Sequence, residues 1–161
     1  MKEPEIFNVE SLPYEMPEGD EVLKFLLREP EIVYNTNPPA RDAAIEHIRD
    51  GIPKLAIDTV LEKTNISRTQ LSNILHISTR QLNRYEKDDR LSPEQSNFLY
   101  EFTRIYTRGL DIFGDAATIN NWISRPNLAI GNVAPVDLLD TGEGLRLVNN
   151  LLTSIEYGFY S

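Results

Sequence analysis

The sequence predicts an all-α fold, and three observations predict it. Apolar residues recur at helical spacing along much of the chain, and no segment alternates long enough to make a half-buried strand. Three hydroxyl–x–x–Gln tetrads, Ser67–Gln70, Ser78–Gln81 and Ser92–Gln95, have the form of capping boxes, in which a hydroxyl and an amide satisfy each other's backbone N–H groups at a helix start.

The elements follow in order. Residues 1–20 hold Pro4, Pro13 and Pro17 among many acids and read as a loose tail. A short helix fits Val22 to Glu29, and Asn35–Pro39 interrupts whatever precedes it. A helix from Asp42 to Asp50 stops at Gly51. Pro53 suits the first turn of the next, which runs to about Lys63. Two short helices start at Ser67 and Ser78. Ser92-Pro93 opens the longest, with Phe98, Leu99, Phe102, Ile105, Tyr106, Leu110 and Phe113 at helical spacing before Gly114. Asp115 caps a short helix carrying Ile119, Trp122 and Ile123, which Pro126 ends, and Trp122 reads as core. Asn127 caps a turn, Pro135 starts a short helix, and Leu145, Val148, Leu152 and Ile155 stripe a last helix that ends at Gly158. These elements divide into an acidic, partly disordered extension over 1–40, a unit over 41–91 and a second over 92–161.

The 161 residues include no cysteine and only His47 and His76, which argues against disulfides, thiolate chemistry and a metal site. No apolar run is long enough for a membrane span, and MKEPEIFNVE lacks the apolar core of a secretory signal, so a cytoplasmic location is expected. The net charge of −9 is unevenly spread: residues 1–62 carry −8, residues 63–90 carry +3 and residues 91–161 carry −4. The one basic island coincides with the doubled helix start.

A short helix, a tight turn through His76-Ile77 and a second helix make a helix-turn-helix, whose second helix enters the DNA major groove. At about 100° per residue, Arg80, Asn83, Arg84 and Lys87 fall opposite the apolar side marked by Leu82 and Tyr85. Thr79 and Arg80 occupy the first turn, from which such helices reach base edges. Arginine suits guanine and asparagine suits adenine, while Ser67, Arg68 and Gln70 at the preceding helix start suit phosphates. The alternative is an ordinary solvated face on a helical hairpin. Glycine often fills this turn. His76 stands there instead, which predicts a left-handed residue at a cost of about 1 kcal/mol.

The remaining residues carry a resemblance. Gly114-Asp115, Trp122, Pro126-Asn127, Gly131, Pro135, Leu138-Leu139, Thr141, Gly144, Val148, Leu152 and Ile155-Glu156-Tyr157-Gly158 resemble the toxin-binding domain of Xre/MbcA/ParS-type antitoxins. ILHISTRQLNRY and the RLSPEQS after it resemble the helix-turn-helix that precedes that domain, so the likeness covers about residues 50–161. It implies a type II antitoxin that dimerises, neutralises a RES-domain, NAD-consuming toxin encoded by the neighbouring gene, and represses its own promoter through double-stranded operator DNA. No cofactor is implied. The toxin contact falls on Glu156, Tyr157, Gly158, Phe159, Tyr160 and Ser161. In the family an arginine often precedes the Ile–Glu pair; here Ser154 stands there, with Thr153 before it.

The residues themselves agree in kind, because large rigid rings at Tyr157, Phe159 and Tyr160 are favoured anchors at interfaces. Phe159 also continues the Ile155 stripe, so it fits this chain's own core equally well. Asp111, Asp115, Asp137, Asp140 and Glu143 read as carboxylates at helix starts rather than as catalytic or metal-binding groups. Two other function classes stay open: a transcriptional regulator without a toxin, whose second unit dimerises or binds a ligand, and an enzyme, for which no nucleophile–base pair or phosphate-cradling loop is present.

Overall fold

A computed structural model describes residues 19–28 and 40–158. Among these the regular structure is helical, with two isolated antiparallel bridges and no strand. Eight α-helices follow one another: α1 Gly19–Leu27, α2 Ala40–Asp50, α3 Leu55–Lys63, α4 Arg68–Ile74, α5 Thr79–Arg84, α6 Pro93–Phe113, α7 Ala116–Ser124 and α8 Gly142–Glu156. Two single 3-10 turns, Leu128–Ile130 and Pro135–Leu138, lie between α7 and α8.

The all-α expectation holds, and all three capping boxes form with both reciprocal bonds present. Several bounds differ from expectation for local reasons. Helix α1 begins three residues before Val22, and Arg28 ends it in a left-handed conformation (φ 56°). Arg28 then reaches α3, its Nε donating to Thr59 Oγ1 at 2.8 Å and its guanidinium pairing with Glu62 at 2.7 Å. Pro53 lies just outside α3 rather than in its first turn, and its neighbours Ile52 and Lys54 bond the segment on either side of Arg90. The expected tail over 1–20 falls almost wholly outside the described residues, as do Glu29 and Asn35–Pro39.

Helix α6 is the organiser. Helices α1, α2 and α4 pack against one part of it, and α7 and α8 against another. Its buried Leu99, Phe102, Ile105 and Tyr106 join Leu23, Ile57, Leu71 and Leu82 on one side to Ile119, Val148 and Leu152 on the other, in one contiguous apolar core. The Tyr106 hydroxyl lies 2.9 Å from Asn120 Oδ1 and 3.2 Å from the Lys63 carbonyl, so one ring ties α3, α6 and α7. Its burial raises its pKa above the usual tyrosine value.

Two glycines permit close approaches. A side chain at Gly109 of α6 would overlap the Cδ1 of Ile119 on α7, and one at Gly144 of α8 would overlap the Leu138 carbonyl. Gly144 therefore lets the Pro135–Leu138 turn sit directly on the first turn of α8. Trp122 is only half-buried, packed against Phe113 at 5.4 Å between ring centroids, so it covers the core rather than occupying it. Asp115 caps α7 as expected, its carboxylate accepting from the Thr118 N–H at 2.7 Å. Asp111 does not fit the helix-start explanation: it lies in the last turn of α6.

Candidate functional site

Two surfaces gather the residues singled out in the sequence. The first is the helix-turn-helix. Ser67 Oγ accepts from the Gln70 N–H at 3.1 Å while Gln70 Oε1 accepts from the Ser67 N–H at 2.9 Å, and Ser78 and Gln81 repeat the pattern. His76 adopts the left-handed conformation expected of the turn, with φ 57°. Its ring packs on Phe98 at 4.8 Å, and its Nε2 lies 2.6 Å from the Asp140 carbonyl oxygen. The turn is thereby fastened to the residue before the Thr141 N-cap of α8. Beside this contact is a cleft of about 530 Å³ lined by Gln70, Asn73, His76, Asp137 and Asp140 among others.

On α5 only Leu82 is buried, whereas Thr79, Arg80, Asn83 and Arg84 are exposed. Four of the expected groups therefore share one short, solvent-facing helix. Lys87 does not. The helix ends at Arg84, and Tyr85 turns extended (φ −61°, ψ 124°), so the helical angle assigned to Lys87 does not apply. There the Tyr85 hydroxyl donates to Gln95 Oε1 at 2.7 Å, joining the end of α5 to the start of α6. Burial raises the Tyr85 pKa, against the opposing effect of that bond. Arg68 and Asn83, expected to act separately, are joined: Arg68 Nη1 donates to Asn83 Oδ1 at 3.1 Å across the two helices.

Two members of the basic island are occupied elsewhere. Arg90 donates to the Gly51 carbonyl at 2.8 Å, and the Lys63 ammonium sits 4.8 Å over the Phe25 ring. Arg90 belongs to a bracket that holds the segment after α5 against the α2–α3 junction. Lys54 N–H donates to Asp89 O at 3.0 Å, Leu91 N–H to Ile52 O at 2.9 Å, and Ile52 N–H to the buried Ser96 Oγ at 2.8 Å. Gly51, at φ 92°, lies so close to the Leu91 carbonyl that a side chain would overlap it.

The second surface is the end of α8. Tyr157 is 64% exposed, and Gly158 follows in the left-handed conformation. Phe159, Tyr160 and Ser161 lie outside the described residues. Glu156 is exposed and paired with Arg108 of α6 at 2.8 Å. Arg108 also reaches the Asn149 carbonyl at 3.2 Å, Asn149 Oδ1 at 2.6 Å and Thr153 Oγ1 at 3.0 Å. Sequence reasoning missed Arg108 entirely, because its partners stand 41 to 48 positions away and no local spacing announces them. Two other carboxylates have local tasks. Hydrogen bonds from Thr118 hold the Asp115 carboxyl below its usual range, and Arg146 does the same for Glu143 through its guanidinium.

Residues 43–104 match the family model of the antitoxin Xre-like helix-turn-helix domain, and residues 108–158 match that of the antitoxin Xre/MbcA/ParS C-terminal toxin-binding domain. An antitoxin Xre of Yersinia enterocolitica is 29% identical over 119 residues, 73% of this chain and 80% of that one. A Prs ADP-ribosylating antitoxin of a Sphingobium species is 22% identical over 139 residues, covering 80% of this chain and 86% of the other. A chain from the crystal structure of the M. tuberculosis MbcT–MbcA toxin–antitoxin complex superposes at a TM-score of 0.48, with 20% identity, over 65% of this chain and 94% of its own.

Proposed function

The chain belongs to the Xre/MbcA/ParS family of antitoxins, and from that premise we propose that it neutralises a RES-domain, NAD-consuming toxin encoded by the neighbouring gene. The contact is made in the cytoplasm by Glu156, Tyr157, Gly158, Phe159, Tyr160 and Ser161. The observation that carries this reading is the exposed Tyr157 ring at the end of α8, directly after a last turn braced against α6. A large ring held in place loses little entropy on entering a partner's cleft. The role is read as one of binding rather than catalysis, supported by the match of residues 108–158 to a toxin-binding domain.

The helix-turn-helix unit, residues 41–91, acts on double-stranded operator DNA and represses the chain's own operon. Thr79, Arg80, Asn83 and Arg84 face the groove. Ser67, Arg68, Gln70 and Lys87 lie against the phosphates, where positive charge adds affinity without sequence preference. The chain works as a homodimer, which would place two α5 helices on two half-sites, and residues 92–161 form the toxin-binding unit.

The test is growth of a bacterial host expressing the neighbouring gene alone, with the full chain, and with the chain truncated after Ile155. Arrest that only the full chain relieves is the expected result. Relief by both forms would move the toxin contact away from the end of α8. Absence of arrest would leave a DNA-binding regulator without a toxin.

A further inference from the structure

Helix α8 ends in an electrostatically unfavourable way by its own sequence. Its last turn carries Glu156 and no basic residue. The carbonyl end of a helix repels a carboxylate and attracts a cation. The cation is supplied from another helix. The Arg108 guanidinium, its side chain 14% exposed, reaches Asn149, Thr153 and Glu156, which stand on one stripe of α8 over its last two turns. The next residue, Gly109, lets α6 approach Ile119 of α7, while Leu152 of α8 stands at an ordinary contact distance from it, so α6 is seated between α7 and α8 beside the bracket. The planar guanidinium can serve several acceptors at once in a fixed geometry, which an ammonium cannot.

We propose that Arg108 is a positioning residue for toxin binding. It fixes the last turn of α8 and so the direction in which Tyr157 and Gly158 leave the helix. Glu156, besides its place in the contact proposed above, then works as the tether for that bracket. The proposal rests on the reading that the toxin contact lies at this end of α8. Two weak-ended bonds depend on the bracket: Tyr157 N–H to Thr153 O at 3.1 Å and Gly158 N–H to Ile155 O at 3.2 Å. Without Arg108 the last turn would fray, and only the fraction of molecules with the turn formed would bind readily. If that fraction fell to about one in ten, the apparent affinity would fall about tenfold.

The experiment compares the full chain with Arg108→Gln, Arg108→Lys and a truncation after Ile155. Affinity is measured for a catalytically inactive form of the neighbouring toxin and for operator DNA, together with amide exchange. Arg108→Gln is expected to lose about tenfold in toxin affinity and to speed exchange at Tyr157 and Gly158. Exchange in α7 and operator affinity should stay as they are, and Arg108→Lys should fall between. Unchanged or tighter toxin binding by Arg108→Gln, with the truncation inactive, would overturn the positioning role alone. An equal fall in operator affinity would overturn it too, by showing a general loss of structure. Full toxin binding by the truncation would overturn this proposal together with the reading beneath it.

Discussion

Replacing Gly144 by alanine adds one methyl group where the structure has no room. The Cβ would overlap the Leu138 carbonyl oxygen, stand 2.6 Å from the Leu138 carbonyl carbon and lie 3.0 Å from Thr141 Oγ1. Two of these three atoms are backbone, so no rotamer change relieves the clash; the Pro135–Leu138 turn must lift from α8. Overpacking costs about 1–3 kcal/mol, and a collision with backbone belongs at the upper end. Alanine's better helix propensity returns about 1 kcal/mol, leaving a net loss of about 2 kcal/mol. For a chain of this size each kcal/mol moves Tm by roughly 2–4 °C, so a fall of about 4–8 °C is expected. Gly142, two residues earlier in the same helix, is the internal control, because a Cβ there meets nothing within 4 Å. Gly142→Ala should gain about 0.5–1 kcal/mol through the unfolded chain and helix propensity. Thermal unfolding followed by circular dichroism, at one protein concentration for all variants, reads both. Equal melting temperatures for the two variants would refute the close-approach argument.

Arg80→Ala and Arg84→Ala should each weaken operator binding, by about 1–3 kcal/mol if the lost contact is to a base, as read by fluorescence anisotropy; full operator affinity in both would remove α5 from the groove. If each protomer of a dimer neutralises about four phosphates, the same assay run against salt should give a log–log slope of roughly −7, and a flat dependence would count against DNA. Ser96→Ala removes the buried acceptor of the Ile52 N–H, and leaving that donor unsatisfied should cost about 1–3 kcal/mol in urea unfolding; an unchanged midpoint would mean the bracket holds without it. Asp115 has a depressed carboxyl pKa through its bonds from Thr118, so its contribution is present above the ordinary aspartate range and lost as pH falls through the lowered folded value. An NMR titration should place its carboxyl below that of free aspartate, and Asp115→Asn should flatten the acid limb of the stability curve.

What could be read from the sequence was what is local. A capping box spans four residues and obeys its own chemistry wherever it stands, so the starts of α4, α5 and α6 were legible, as was the left-handed His76. The end of α5 was not. The periodicity continues smoothly to Lys87, but the helix ends at Arg84 and Tyr85 turns extended, its hydroxyl bonded to Gln95 of α6. Likewise Arg68 and Asn83 were readable as exposed polar groups, yet their mutual bond depends on how two helices cross. The candidate surface at α8 was marked by its aromatic residue, whereas the brace beneath it came from Arg108 on another helix. The fastening of His76 to Asp140 spans 64 positions and had no local signal. Helix existence follows from near neighbours; the tasks of polar side chains follow from the packing of distant ones.

The single core running through α6 bears on how this molecule is lost as well as how it works. Leu99, Phe102 and Tyr106 are covered from both sides, so neither side keeps a complete apolar interior once the other is removed. Disruption of α7 and α8 would strip one flank of α6 and loosen the helices that present Arg80 and Arg84. On the function proposed above, a proteolytic cut in either half should therefore end operator occupancy and toxin neutralisation over the same interval. The two activities would share one lifetime, with no long-lived fragment holding the promoter closed after the toxin has been released.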